Sequence, residues 1–155
     1  MMTHISKSGK AVMVDLSEKG VTERRAIASA KVFISPETIK ILKSNGLPKG
    51  NPFEVARIAG ILASKKTYEL IPLCHQINLS KVDVKIELKD YGVFIESEAK
   101  ATDKTGVEME ALVAVAIAAL TIYDMCKAVQ KDIEIGEIKL ELKEGGKSGR
   151  FVRKK

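Results

Sequence analysis

The chain has 155 residues, 45% hydrophobic and 30% charged, which is one domain by length (1–155) with enough apolar mass for a core and enough charge to stay in solution. It carries no Trp, so the core has to be built from Ile, Leu, Val and Ala, and its 26 Lys and Arg against 20 Asp and Glu give a formal charge of +6. The longest uncharged apolar run, Ala111 to Tyr123, falls short of the ~20 residues of a membrane span, which argues against a membrane partner.

Residues 1–20 are polar and glycine-bearing, with a short apolar patch at Val12 to Leu16, and are expected to form an arm. From Arg24 the chain alternates: Ala26, Ala28, Ala30, Val32 and Ile34 share one face, and Arg25, Ser29 and Lys31 the other, which predicts a strand. Ser35-Pro36-Glu37 then gives an N-cap, a proline at the first helical position and an acid in the first turn. The helix should end near Lys43, before Asn45-Gly46. Asn51-Pro52-Phe53-Glu54 repeats the start signal, and Val55, Ile58, Ala59 and Leu62 come next at helical spacing.

Val82, Val84, Ile86 and Leu88 alternate with charged residues and predict the clearest strand. Asp90-Tyr91-Gly92 is a turn, and Val93 to Ala101 returns as the second arm of a hairpin. Val107 to Lys131 reads as one long helix, apolar nearly all round. Ala114, Ala118 and Ala119 would admit another helix at close range, which predicts a subunit interface there. The last strand, Ile133 to Lys143, shifts its apolar phase at Gly136, the sign of a β-bulge. The order β-α-α-β-β-α-β corresponds to an α+β fold, a ferredoxin-like split βαβ. It predicts an antiparallel four-stranded sheet with helices packed on one face. The tail from Gly145 to Lys155 is glycine-rich and holds Lys147, Arg150, Arg153, Lys154 and Lys155 with no acid. Such a tail can attract anions or remain a frayed terminus.

Four clusters could carry chemistry. Pro72-Leu73-Cys74-His75 puts an imidazole in a loop before the clearest strand, where it can bind an anion, move a proton or simply satisfy backbone. Zinc would need more ligands than Cys74 and His75, and the chain adds only Cys126 and His4. Glu108 and Glu110 open the long helix. They can complement its dipole or accept N–H groups of a guanine-like ring. Asp124 and Lys127 lie three apart, on one helical face at the end of an apolar stretch. They read as a surface ion pair or as a partly buried acid–base couple. Lys49-Gly50 offers a flexible ammonium. Gly145-Gly146-Lys147-Ser148-Gly149 lacks the first glycine of a Walker loop, since Glu141 stands there, but a glycine-rich anion loop remains. Two lone cysteines and the lack of an apolar signal core in residues 1–9 point to a reducing cytoplasm.

At these clusters the sequence resembles the molybdenum cofactor biosynthesis protein C family, the cyclic pyranopterin monophosphate synthases. The matching runs include Met13-Val14-Asp15, Ala56-Arg57-Ile58-Ala59-Gly60-Ile61 and Leu70-Ile71-Pro72-Leu73-Cys74-His75. Thr105-Gly106-Val107-Glu108-Met109-Glu110 and Thr121-Ile122-Tyr123-Asp124-Met125-Cys126-Lys127 match too. The resemblance covers about residues 3 to 152. It implies a lyase that converts 3′,8-cyclo-7,8-dihydro-GTP into cyclic pyranopterin monophosphate and pyrophosphate. It implies Lys49, Asp124 and Lys127 as catalytic residues, and Leu73, Cys74, His75, Met109 and Glu110 in contact with substrate. Arg24, Glu108 and Lys147 would complete the anion and ring binding. It further implies a homohexamer, a trimer of dimers, with sites at subunit interfaces. No resident metal or redox cofactor is called for; magnesium on the triphosphate is allowed and not required.

Two rival readings belong to other classes. A nucleic-acid module would fit the fold and the basic tail, but the strands lack the aromatic stacking pattern that such folds use on RNA, so no nucleic acid is expected. A catalytically idle metabolite binder would hold the nucleotide without making product.

Overall fold

The computed structural model describes residues 5–155. Its elements are β1 (Thr22–Phe33), α1 (Pro36–Lys43), α2 (Pro52–Ser64), α3 (Thr67–Leu70), β2 (Leu79–Lys89), β3 (Gly92–Asp103), α4 (Glu108–Cys126), β4 (Glu134–Glu144) and β5 (Phe151–Val152). All pairings are antiparallel, in the order β2-β3-β1-β4-β5.

The sheet thus has five strands, not the four expected. The fifth comes from the tail. Phe151 and Val152 pair with Lys143 and Leu142, and Arg153 donates from its Nε to the Leu140 carbonyl at 2.8 Å. Its backbone N–H donates to the Glu141 carbonyl at 2.8 Å as well. Open N–H and C=O groups on the edge of β4 give the tail main-chain partners that composition does not reveal.

Both helix starts form as their sequences dictate. The Ser35 hydroxyl accepts from the Thr38 N–H, and the Asn51 carbonyl oxygen accepts from the Phe53 N–H, each with proline in the first turn. The hairpin between β2 and β3 turns at Gly92, whose φ is +142°. A Cβ there would overlap the Val32 carbonyl oxygen of the neighbouring strand, so only glycine fits.

Ala26, Ala28, Ala30 and Val32 of β1 are fully buried, as are Ala111, Ala114, Val115, Ala118, Ala119 and Ile122 of α4. Small residues on both sides let α4 lie close to the sheet. The Ser97 hydroxyl fastens the two layers by donating to the Ala111 carbonyl at 2.7 Å. The helix that lies against Ala114 and Ala118 is α2 of the same chain. Gly60 sits directly on the Ala114 carbonyl and the Ala118 methyl. Pro52, Ala56, Gly60, Ala63 and Ser64 are the buried residues of α2, while Val55, Ile58 and Leu62 point outward. Small residues win the inward face because the crossing with α4 is too tight for branched ones.

Helix α4 stops at Cys126, short of Lys131. The chain turns there to reach β4. The Val129 and Gln130 N–H groups donate to the Cys126 carbonyl, and the Tyr123 hydroxyl donates to the Lys131 carbonyl. The phase slip in β4 is a bulge, as expected, but a second irregularity accompanies it. Glu137 and Ile138 face one β1 residue between the Lys31–Gly136 and Ser29–Lys139 pairs, and Glu141 is the extra residue between Leu140 and Leu142. The left-handed residue is Glu137, with φ +50°, while Gly136 lies against the Phe33 ring.

Candidate functional site

The sequence clusters gather into two places, at opposite ends of α4. At its C-terminal end, Lys49 reaches in from the loop between α1 and α2. Its Nζ lies 3.0 Å from Asp124 Oδ2, and Lys127 Nζ lies 2.8 Å from Asp124 Oδ1. One carboxylate therefore bridges two ammonium groups that are 75 and three residues away in sequence. The trio is not buried, as the apolar run before it suggested. Lys49 is 48% exposed, and Asp124 and Lys127 are each 52% exposed. Hydrogen bonds from Lys127 and then Lys49 hold the Asp124 carboxyl below its usual range, and the bond to Asp124 raises Lys127. Both shifts fix the charged forms. The cluster is a net cation with a fixed geometry, suited to holding phosphate oxygens.

At the N-terminal end of α4 lies a cavity of about 310 Å³. Leu73, Cys74 and His75 enter from the loop after α3, Met109 and Glu110 from the first turn of α4, and Glu108 from its rim. Gly106 lets the Glu108 carboxylate fold back over the chain, where a Cβ would overlap it. Lys143 Nζ lies 3.7 Å from Glu108 on the sheet side. Burial, then the Glu110 and Glu108 carboxylates, raises the Cys74 thiol, so it rests protonated. Burial alone pushes Cys126 up to about 11, which makes it an inert core thiol.

Glu110 is 4% exposed, and burial pushes its carboxyl up from the usual 4.5 to about 7, with Glu108 and Asp103 adding to the rise. A carboxyl raised on folding binds its proton more tightly in the folded than in the unfolded state. It therefore stabilises the fold fully at pH below the usual carboxylate range, and that contribution is lost as pH rises through about 7. Glu110→Gln is expected to raise unfolding free energy by about 3 kcal/mol near pH 8 and to change it little near pH 4. Urea unfolding followed by circular dichroism at the two pH values measures this.

The remaining expected residues lie elsewhere. Arg24 is 8% exposed, and its Nε donates to the Asp103 carbonyl at 3.4 Å. Gly145 lies against its Cδ and Gly146 against its guanidinium, which a Cβ on Gly146 would overlap. Arg25 points to the other face, paired with Glu98 at 2.7 Å and Glu144 at 3.6 Å. Both arginines line a polar cleft of about 400 Å³ with Ser80 and Lys100. Lys147 stands exposed in the turn after the glycines. Among the described residues no three His, Cys, Asp or Glu side chains converge as a metal site would require. His4, weighed as a zinc ligand, lies outside those residues. The sequence reading missed Val14, Lys19 and Ile77 as walls of the ring-sized cavity. Val14 belongs to a run already matched to the family, whereas Lys19 carries no local signal at all.

Glu110 and Asp124 are fourteen positions apart on one helix. At 1.5 Å per residue that is about 21 Å. A reacting centre must lie within hydrogen-bond reach of every group that serves it. The two clusters of one chain cannot both do so.

Residues 13–146 match the protein-family model described as the MoaC family. A curated relative from Streptomyces griseus subsp. griseus, named cyclic pyranopterin monophosphate synthase, is 51% identical over 152 residues, covering 98% of this chain and 86% of the relative.

Proposed function

The chain belongs to the MoaC family, and from that membership we propose how its two clusters make cyclic pyranopterin monophosphate. The chain is an enzyme, a lyase of molybdenum cofactor biosynthesis. Its substrate is the cyclised nucleotide 3′,8-cyclo-7,8-dihydro-GTP, and pyrophosphate is the second product.

The observation that carries the reading is the distance along α4. The pocket of Leu73, Cys74, His75, Met109 and Glu110 is one half-site, and Lys49, Asp124 and Lys127 are the other. A second protomer, docked so that its α4 C-terminus meets the first one's pocket, completes a site from two chains. The outward apolar residues Val55, Ile58 and Leu62 of α2 and Leu120 of α4 support such an oligomer, since they lack cover in the single chain. A homohexamer built as a trimer of dimers fits this reading. The two free cysteines suit a reducing cytoplasm. The order of β2, β3, β1 and β4 supports a ferredoxin-like core extended by β5.

In this arrangement the roles follow from charge. Glu108 and Glu110 accept ring N–H groups, and His75 and Cys74 border the ring. Lys49 and Lys127 neutralise the phosphates and then the departing pyrophosphate. A phosphate oxygen that captures one lysine relieves Asp124 of a hydrogen bond, and its carboxylate becomes a better proton acceptor. Glu110, half protonated at about pH 7, can hold or return a proton as the purine ring opens and the pterin closes. Arg24 and Lys147 add positive charge along the phosphate path. Cyclic phosphate formation is intramolecular and needs mainly positioning. Magnesium brought in on the triphosphate is compatible with every step, and none depends on it.

The direct test supplies the cyclised nucleotide and measures pterin product and pyrophosphate; binding without product would favour the idle metabolite binder. A second test addresses the shared site. Asp124→Asn and Glu110→Gln should each be nearly inactive alone. In a two-fold dimer the mixed species carries one doubly damaged site and one intact site. Co-expressed at equal levels, the two variants are expected to recover about a quarter of parental activity. No recovery in purified mixed oligomers would defeat the two-chain site.

A further inference from the structure

The cavity at the start of α4 is lined mostly by acceptors and apolar groups. Leu73, Ile77, Met109 and Val14 supply apolar walls, and Glu108 and Glu110 supply carboxylates. Lys19 is the one ammonium or guanidinium group in that lining, and it comes from the N-terminal arm. It has no carboxylate within ion-pair distance among the described residues, although two line the same cavity. Lys143, on the sheet, already neutralises Glu108.

The arm that carries Lys19 is attached in an unusual way. Between Ala11 and Thr22 it pairs with no strand, and its backbone hydrogen bond from Lys19 to Leu16 is internal. Its Asp15 carboxylate accepts from the Ser17 N–H at 2.9 Å and from the Ser17 hydroxyl at 2.7 Å, so that it too is held from within the arm. Two of its side chains, Val14 and Lys19, line the cavity. A guanine-like ring presents two N–H donors beside a carbonyl oxygen. The two carboxylates answer the donors and repel the oxygen. That oxygen needs a cationic donor on the same rim.

We infer that Lys19 is a specificity-determining residue that hydrogen-bonds the ring carbonyl of the substrate, and that the arm closes the ring pocket through this contact. This deepens the function proposed above and rests on its assignment of the ring pocket. A purine with an amino group in place of the carbonyl meets an ammonium with nothing to accept its proton. The arm therefore selects oxo over amino purines.

The test is direct binding of GDP and ADP to the full-length protein by calorimetry, with hydrogen exchange of residues 11–20. The parent should bind GDP more tightly than ADP, and GDP should slow exchange in the arm. Lys19→Met should weaken GDP binding by about tenfold, leave ADP binding unchanged and abolish the arm's protection, while Lys19→Arg should retain most of the preference. Equal loss for both nucleotides would mean that Lys19 reads phosphate, and would overturn the inference. An unchanged GDP affinity, or a parent that does not distinguish the two nucleotides, would overturn it as well. The enzymatic reading fails separately: a protein that selects GDP through Lys19 yet releases no pyrophosphate from the cyclised nucleotide keeps the pocket and loses the reaction.

Discussion

Asp124→Asn is expected to lower kcat for pyrophosphate release by about 10³-fold, without a rise in KM. The amide keeps the shape of the side chain and removes its charge. Lys49 and Lys127, now 3.0 and 2.8 Å from a neutral group, present their full charge to the phosphates, so binding is maintained or tightened. What disappears is the one carboxylate positioned between them to take a proton. The fold should not suffer, because the side chain is half exposed and exposed ion pairs contribute little to stability. Steady-state kinetics with pyrophosphate detection, beside a thermal melt, distinguishes this from loss of structure. A variant that keeps its turnover, or loses it only through KM, would remove Asp124 from the proton-transfer role. Lys49→Ala should differ in kind, raising KM as well as lowering kcat.

Gly60→Leu is expected to destabilise the protein by about 3 kcal/mol or more, enough to deplete folded material. A Cβ at position 60 would sit 2.7 Å from the Ala114 carbonyl oxygen, 3.3 Å from Val84 Cγ2 and 3.4 Å from the Ala118 Cβ. The nearest atom is backbone of α4 and cannot rotate away. Relief requires α2 to move off α4, which opens the layer that buries Ala56, Ala111 and Ala118. Gly60→Ala tests the same contact more gently, since the gain in helix propensity offsets part of the clash. Urea midpoints of the three proteins should fall in the order parent, alanine, leucine. A leucine variant as stable as the parent would show that the crossing has slack. Because α2 begins just after Lys49 and Gly50, loosening this crossing should also displace the Lys49 ammonium from Asp124.

Local signals were legible where physics is local. Ser35 and Asn51 mark helix starts because capping needs only neighbours, and the alternation from Val82 to Leu88 marks β2 because one face is wet. The alanines of α4 show the limit. Small residues announce a close helix, yet they do not say which one, and Ala114 and Ala118 meet α2 within the chain. The apolar spacing of Val55, Ile58 and Leu62 marks the helix but not its buried face, because tight crossings bury small residues and leave branched ones outside. Strand β5 was hidden because pairing at a sheet edge uses main-chain groups that every residue carries. At the site, the spacing of Asp124 and Lys127 on a helix was readable. The joining of Lys49 to them depends on tertiary packing, as does the lifted carboxyl of Glu110. Lys19 was invisible, since only the path of the arm gives it a pocket to face.

The break in β4 has a meaning for how the molecule behaves in a crowded solution. A straight outer strand offers its open hydrogen-bonding groups to any extended chain that drifts past, and sheets grow that way into insoluble ribbons. At Glu137 the left-handed backbone tilts this border out of register, and further along the tail already pairs with Leu142 and Lys143. A stranger could dock over only a few residues before losing its partners. The kink that disturbs the apolar rhythm also serves as a guard against self-templated clumping.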